Sequence, residues 1–330
     1  MKRVQQPVAL RPLAVALALA ASSVAWAQET PDPTRLSLDE LMSIEVSSAA
    51  RKPQTLLDTA TAIHVLSRED IRRSGASSIP ELLRQVPGVQ VSRIDASRYA
   101  IIIRGFANRY TGKLLVLQDG RTLFSPMFNG TFWESHDLAL ADVERIEVIR
   151  GPGGTMWGAN AFNGVINIIT RKAQDTQGTL VQALAGSEAS GVALRHGGTL
   201  GENGHFRVWA KAGHHSALQQ PDGQAAHDAL YQQRAGFRID LQPNARDRVT
   251  VQGDVQDVRA DVNELSTSWD QTELVHYSND TQAESGANLL LRWEREVNAD
   301  HHLHVQAFLD QVEGRSRWTR WMLSSSSACA

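Results

Sequence analysis

The segment Gly151-Pro152-Gly153-Gly154-Thr155-Met156-Trp157-Gly158 is the first place where this chain could do chemistry, because glycine-rich loops let backbone amides close around phosphate. A dinucleotide fingerprint would need glycine where Met156 stands, and a P-loop would need lysine after Gly158, where Ala159 stands. Strand-like sequence flanks the loop on both sides, instead of strand on one side and helix on the other. The glycines read better as positions for left-handed backbone and close packing. A metal is the next possibility, since His302 and His304 share one face of an alternating segment and His214-His215 lie beside a long connection. Two ligands do not complete a zinc site, so no metal is assigned. No Ser-His-Asp, paired-carboxylate or CxxC constellation stands out, and Cys329 is the single cysteine. A net charge of −3, from 33 basic and 36 acidic residues, gives no basic footprint for nucleic acid. The chain reads as a non-enzyme without cofactors.

Recognition is the remaining kind of chemistry. In Ile44-Glu45-Val46-Ser47-Ser48 the β-branched residues alternate with a charge and are followed by serines, so the segment suits a strand that adds to a sheet edge on another protein. A simple linker is the other reading.

The elements that would carry these residues begin with an export signal. Lys2, Arg3 and Arg11 precede an apolar run over 13–21, and Ala25-Trp26-Ala27 supplies small residues for cleavage after Ala27. The run is far short of the roughly 20 residues of a spanning helix, and no later stretch approaches one. A polar leader follows, with a capping box in Ser37-Leu38-Asp39-Glu40. Short mixed elements come next: strands near 63–66, 100–104, 114–117, 121–124, 143–149 and 165–170, and helices opening at Ser67 and Ser78. Asp119-Gly120 makes a tight turn. Together these predict one small α+β domain.

Here the sequence resembles a known family. The run from Ile146 to Ala173, IEVIRGPGGTMWGANAFNGVINIITRKA, is similar to the plug-domain signature of TonB-dependent receptors. The segments DIRRSGASSIPELLRQVPGVQV, IIIRGF and LLVLQDGRTLFSP resemble plug segments in the expected order, and LSLDELMSIEVSSAARKP resembles the start of the colicin I, enterobactin and cobalamin receptor group. The resemblance implies a receptor in the Gram-negative outer membrane. It would bind a scarce solute, such as an iron chelate or cobalamin, and take it up by energised movement of the plug. It implies TonB, with the ExbB–ExbD energising complex, as partner, and makes Ile44, Glu45, Val46, Ser47 and Ser48 the TonB-box candidate. Solute contacts would fall on Arg109, Tyr110, Phe124, Phe128, Phe132 and Trp133, for which loop packing is the plainer role. Glu144, Arg145, Glu147 and Arg150 would lock plug to barrel, or form an ordinary solvated strand face.

Beyond Ala173 the pattern itself changes to strict two-residue alternation. Phe206, Val208, Ala210 and Ala212 alternate with Arg207, Trp209 and Lys211, and Val249, Val251 and Val255 alternate with Thr250, Gln252 and Asp254. Phe237 and Ile239 alternate with Arg238 and Asp240, and Leu303, Val305, Ala307 and Leu309 with His304, Gln306 and Asp310. Strands are expected near 179–186, 190–200, 204–214, 230–241, 247–258, 285–297 and 301–312. They are long enough to cross a bilayer at a tilt, so outer-membrane lipid is an expected partner. Short connections at 201–203, 242–246 and 298–300 alternate with long ones at 215–229 and 259–284, as periplasmic turns alternate with outer loops.

The expected organisation is a signal peptide over 1–27, a leader over 28–53 and a plug domain over 54–173. The start of a transmembrane β-barrel fills 174–323, and 324–330 forms a tail outside the pattern. Plugged transporters use about 22 strands and this chain supplies about seven, so the barrel is expected to be incomplete and the product truncated. A non-functional remnant and a soluble periplasmic binding module are the alternatives.

Overall fold

The computed structural model describes residues 45–46, 54–55, 62–105, 112–125, 129–267, 275–298, 301–316 and 320–329. The signal segment, Ile44, Ser47, Ser48, Arg109, Tyr110 and Phe128 lie outside these residues.

Local chemistry sets the first elements. β1 (Glu45–Val46) pairs antiparallel with β2 (Gln54–Thr55), and β3 (Ile63–Ser67) runs directly into α1 (Arg68–Arg73). At that junction the Ser67 hydroxyl accepts from the Asp70 amide while the Asp70 carboxylate accepts from the Ser67 amide, a complete capping box. α2 (Ile79–Leu83) carries Pro80 in its first turn, where no intrahelical donor is lost, and the chain turns away at Gly88 with φ of 79°. β4 (Val89–Arg93), β5 (Tyr99–Ile103), β6 (Leu114–Gln118), β7 (Arg121–Thr122), β8 (Phe124–Ser125), β9 (Gly130–Thr131) and β10 (Val143–Arg150) follow. The glycine-rich loop holds one helical turn, α3 (Gly154–Trp157), which the sequence did not predict, before β11 (Gly164–Thr170).

One sheet runs β3-β10-β11-β6-β7, with β11 parallel to β6 and the other pairs antiparallel. Both faces are covered, so its central strands read as continuous apolar runs. Val116, Ile146, Val148, Ile166 and Ile168 meet Ile71, Ile79, Leu82, Leu83 and Val86 on one face, and Leu115, Leu117, Ile149 and Val165 cluster on the other. Leu83 is fully buried. Leu83→Ala is therefore expected to destabilise this domain by about 2–5 kcal/mol, read as a lower urea midpoint in tryptophan fluorescence. An unchanged midpoint would show that α2 is not part of the folding core.

The second half is an eight-stranded antiparallel sheet in strict chain order. Its strands are β12 (Gly178–Ala185), β13 (Ala189–Thr199), β14 (Gly204–His215), β15 (Leu230–Leu241), β16 (Asp247–Thr267), β17 (Val275–Glu296), β18 (His302–Arg315) and β19 (Arg320–Cys329). Burial on this sheet is inverted relative to a soluble protein. Arg207, Arg234, Arg238, Asp254 and Gln306 on the concave face are buried, while Val208, Val255, Leu289, Leu291 and Leu309 on the convex face stand exposed. The concave polar face is covered by the α+β domain, which makes the sheet a curved wall. Among the described residues each end strand, β12 and β19, pairs on one side only, so the sheet does not close on itself.

Two expectations change. The stretch 259–284, read as a long loop, is mostly strand, because β16 and β17 stay in register from Asp247↔Arg295 to Thr267↔Val275. Alternation of apolar residues ends where an apolar environment ends, but the backbone ladder does not require it. For the same reason the serine run after Leu323 falls in an eighth strand, paired from Arg315↔Arg320 to Gln306↔Cys329, where the sequence suggested a tail outside the barrel pattern.

Candidate functional site

The wall and the α+β domain meet through charged and amide side chains, arranged in two tiers. Near the short turns of the wall, Asp142 pairs with Arg195 at 2.5 Å and the Ala173 amide donates to the Asp240 carboxylate at 2.6 Å. Arg207 donates to the Arg171 carbonyl at 3.0 Å. Asp119, at the tip of the β6–β7 turn, accepts from the Thr170 amide at 2.9 Å, the Thr170 hydroxyl at 2.8 Å and Gln252 Nε2 at 2.9 Å. The Asp119 carbonyl accepts from Arg292, and Arg121 pairs with Asp310 at 2.6 Å.

The second tier lies toward the 216–229 connection. Lys211 pairs with Asp137 at 2.5 Å, and Gln232 donates to the same carboxylate at 2.8 Å. The Ala96 amide donates to Asp228 at 2.9 Å, which also holds the Leu218 amide, and Arg93 pairs with Glu188 at 3.1 Å. The segment over 93–96 is thus tied to two connections of the wall.

Sequence folds these residues into place through ordinary local rules. Asp119 and Gly120 both have positive φ, 50° and 80°, as a two-residue hairpin turn of this hand requires. Asp142 and Asp137 stand at and before a short 3-10 turn, Leu140–Asp142, that leads into β10. Burial works against a charged Asp119, but Arg238, Arg292 and the hydrogen bonds from Thr170 and Gln252 outweigh it, holding its carboxyl below the usual range. His136 lies in the same interface. Burial, with Arg234 and Arg121 nearby, pushes it well below its ordinary value, so it is neutral at pH 7. The arrangement holds two bodies together; no nucleophile, base and oxyanion donors converge in it. Among the described residues no group of three or more His, Cys, Asp or Glu side chains converges on a metal position. His304 lies 3.4 Å from Glu294, and His214 stacks on Tyr231 with centroids 4.4 Å apart.

The sequence-expected site residues fall as follows. Of the strand-addition segment, Glu45 and Val46 form β1 and pair with Thr55 and Gln54. Phe132 and Trp133 are buried, Trp133 within the domain core, and Phe124 is half-buried in β8 opposite Thr131. Glu144 lies 3.7 Å from Arg171, Arg145 bonds Glu147 at 2.8 Å, and Arg150 donates to the Pro87 carbonyl at 3.0 Å. These contacts stay inside the domain because β10 lies between two sheet neighbours, which put other domain residues within reach of its polar side chains. Described charged contacts to the wall are made by Arg93, Asp119, Arg121, Asp137 and Asp142. Asp119 was legible only as a turn residue; nothing in the chain marks its partners.

Comparison with known proteins fits this geometry. Residues 55–165 match the family described as TonB-dependent Receptor Plug Domain. A vitamin B12 transporter, BtuB of Vibrio vulnificus, is 34% identical over 146 residues, covering 44% of this chain and 23% of that protein. An iron-regulated outer membrane virulence protein of Vibrio cholerae serotype O1 is 40% identical over 167 residues, 49% of this chain and 24% of that protein. Among solved structures, the pyoverdine outer membrane receptor FpvA of Pseudomonas aeruginosa superposes with a TM-score of 0.63 at 20% identity, over 82% of this chain and 40% of that one. The siderophore receptor PirA of Pseudomonas aeruginosa gives 0.59 at 20% identity, over 81% and 43%. The matched region spans about a quarter of the length of the curated relatives, 23% and 24%.

Proposed function

We propose, on the premise that this chain carries the plug domain of the TonB-dependent receptors over residues 55–165, that it acts in energised uptake of a scarce solute across the outer membrane. The solute class is a ferric siderophore or cobalamin. The observation that carries this reading is the inverted burial of the wall, with leucine and valine outside and arginine and aspartate inside, wrapped on a plug of matching polarity. A convex face of that kind needs hydrocarbon, and a polar lumen filled by a domain is what a gated pore contains.

Export would use the 1–27 signal, cleaved after Ala27, and coupling would use Ile44–Ser48 as the TonB box. β1 pairs with β2 among the described residues, and TonB, driven by the ExbB–ExbD complex, would add as a strand beside it. Val46→Pro removes a backbone donor from β1. In a receptor whose wall is closed, the variant is expected to bind solute at the cell surface normally and to lose energised uptake. Normal uptake would place the coupling segment elsewhere.

The function is tested by expressing the chain, continued by the further strands that close its wall, in a Gram-negative host and fractionating the cells. Cyanocobalamin and ferric pyoverdine are then offered to the intact cells. Outer-membrane location with saturable binding of one solute is the expected result. Recovery in the periplasm without binding would favour a soluble plug-type module, and degradation a non-functional remnant.

A further inference from the structure

The turn of the α+β domain over 118–121 touches three consecutive wall strands directly and a fourth through Thr170. Gln252 of β16 donates to the Asp119 carboxylate, and Arg292 of β17 donates to the Asp119 carbonyl. A Cβ on Gly120 would stand 3.0 Å from the Gln306 amide of β18, and Arg121 pairs with Asp310 on the same strand. Arg238 of β15 reaches the turn through Thr170, donating to the hydroxyl that itself donates to Asp119, while Asp240 holds the other side of Arg238.

Thr170 ends β11, the strand from which the chain leaves the domain for the wall. Asp119 therefore ties together the end of β6, the end of β11 and three wall strands, with a buried carboxylate that two guanidinium groups keep charged. Both oxygens of that carboxylate accept from outside their own strand, Oδ1 from the Thr170 amide and Oδ2 from the Thr170 hydroxyl and Gln252. We propose that the 118–121 turn is an anchor of the domain in the wall, with Asp119 as the positioning residue that couples β11 to β15, β16 and β17. The inference rests on the geometry of this interface and holds whatever solute is carried.

The test is amide hydrogen exchange on the full chain in detergent micelles. Asp119→Ala is expected to speed exchange at Thr170 and in the 118–122 segment by about tenfold or more, while the amides of Leu82, Leu83 and Ile101 in the domain core stay protected. Arg238→Gln and Arg292→Gln, both in the wall, are expected to speed the same domain amides. Arg292→Gln added to Asp119→Ala is expected to add nothing further. Asp119→Asn, which keeps the left-handed turn but loses the charge, should give the same pattern at smaller size and serves if the alanine variant does not fold. Unchanged exchange at Thr170 would overturn the proposal. So would equal acceleration across the whole domain, which would make Asp119 a folding residue, or wall variants that leave the domain amides untouched.

Discussion

In a receptor whose wall is closed, Leu289→Arg combined with Leu291→Arg is expected to keep the protein out of the outer membrane. Both leucines stand on the convex face of β17, 48% and 49% exposed, in line with Val255 and Leu309 on neighbouring strands. Exposure of this kind is a liability in water and an asset in lipid. An arginine near the bilayer midplane of a barrel costs about 2–4 kcal/mol, so the pair together costs about 4–8 kcal/mol, comparable to the whole stability of a small domain. Gln311→Arg is the control. It lies on the same face of β18, past Leu309 and opposite Ala287, and is expected to reduce insertion less than the double leucine variant. Outer-membrane fractionation and heat-modifiable gel migration read the outcome. Normal insertion of the double leucine variant would mean that the convex face does not meet hydrocarbon.

The second large effect is expected at Asp142. Its carboxylate meets Arg195 at 2.5 Å with the two side chains 9% and 11% exposed. Removing one member of a buried pair leaves the other charged and desolvated, at a cost of about 3–5 kcal/mol. Asp142→Ala should therefore loosen the domain's hold on the wall beside Arg195 and lower the unfolding midpoint strongly. Replacing both residues, Asp142→Leu with Arg195→Met, should be nearly neutral, because apolar contact substitutes for a pair whose desolvation cost offsets much of its attraction. Denaturant melts of the single and double variants decide it. A single variant as stable as the parent would place Arg195 in contact with water, and a double variant as weak as the single would show that the pair does more than fill space.

How far the chain could be read without coordinates depended on the range of the interaction. Ser67 and Asp70 close a capping box within one turn, and Asp119-Gly120 makes a turn whose backbone only a few residue types tolerate; both are visible as spacing. The wall was legible because every strand pairs with its neighbour in sequence, so alternation along each strand names the two faces. The reading stopped short wherever alternation stopped, at the outer half of β16 and β17 and at β19, since hydrogen-bonded ladders continue without an apolar face to announce them. The charged residues chosen on β10 illustrate the other limit. Glu144, Arg145, Glu147 and Arg150 look like interface residues on a strand face, but their described partners are Arg171, one another and the Pro87 carbonyl.

The sequence by itself determined the two halves of this protein: a mixed α+β domain with apolar runs and a plug-like signature, then long strands with one apolar and one polar face. Those features depend on neighbours a few residues apart, or on the period of a strand, and each segment carries its own share of them. Only the tertiary structure decided which charges meet. Asp142 and Arg195 are 53 residues apart, Asp119 and Gln252 are 133 apart, and Arg121 and Asp310 are 189 apart. Each pair forms because the wall curves around the domain at one particular height and rotation, set by the fit of the whole concave face. An aspartate at a turn tip has the same local sequence whether it faces water or an arginine, so no spacing rule could have named its partner.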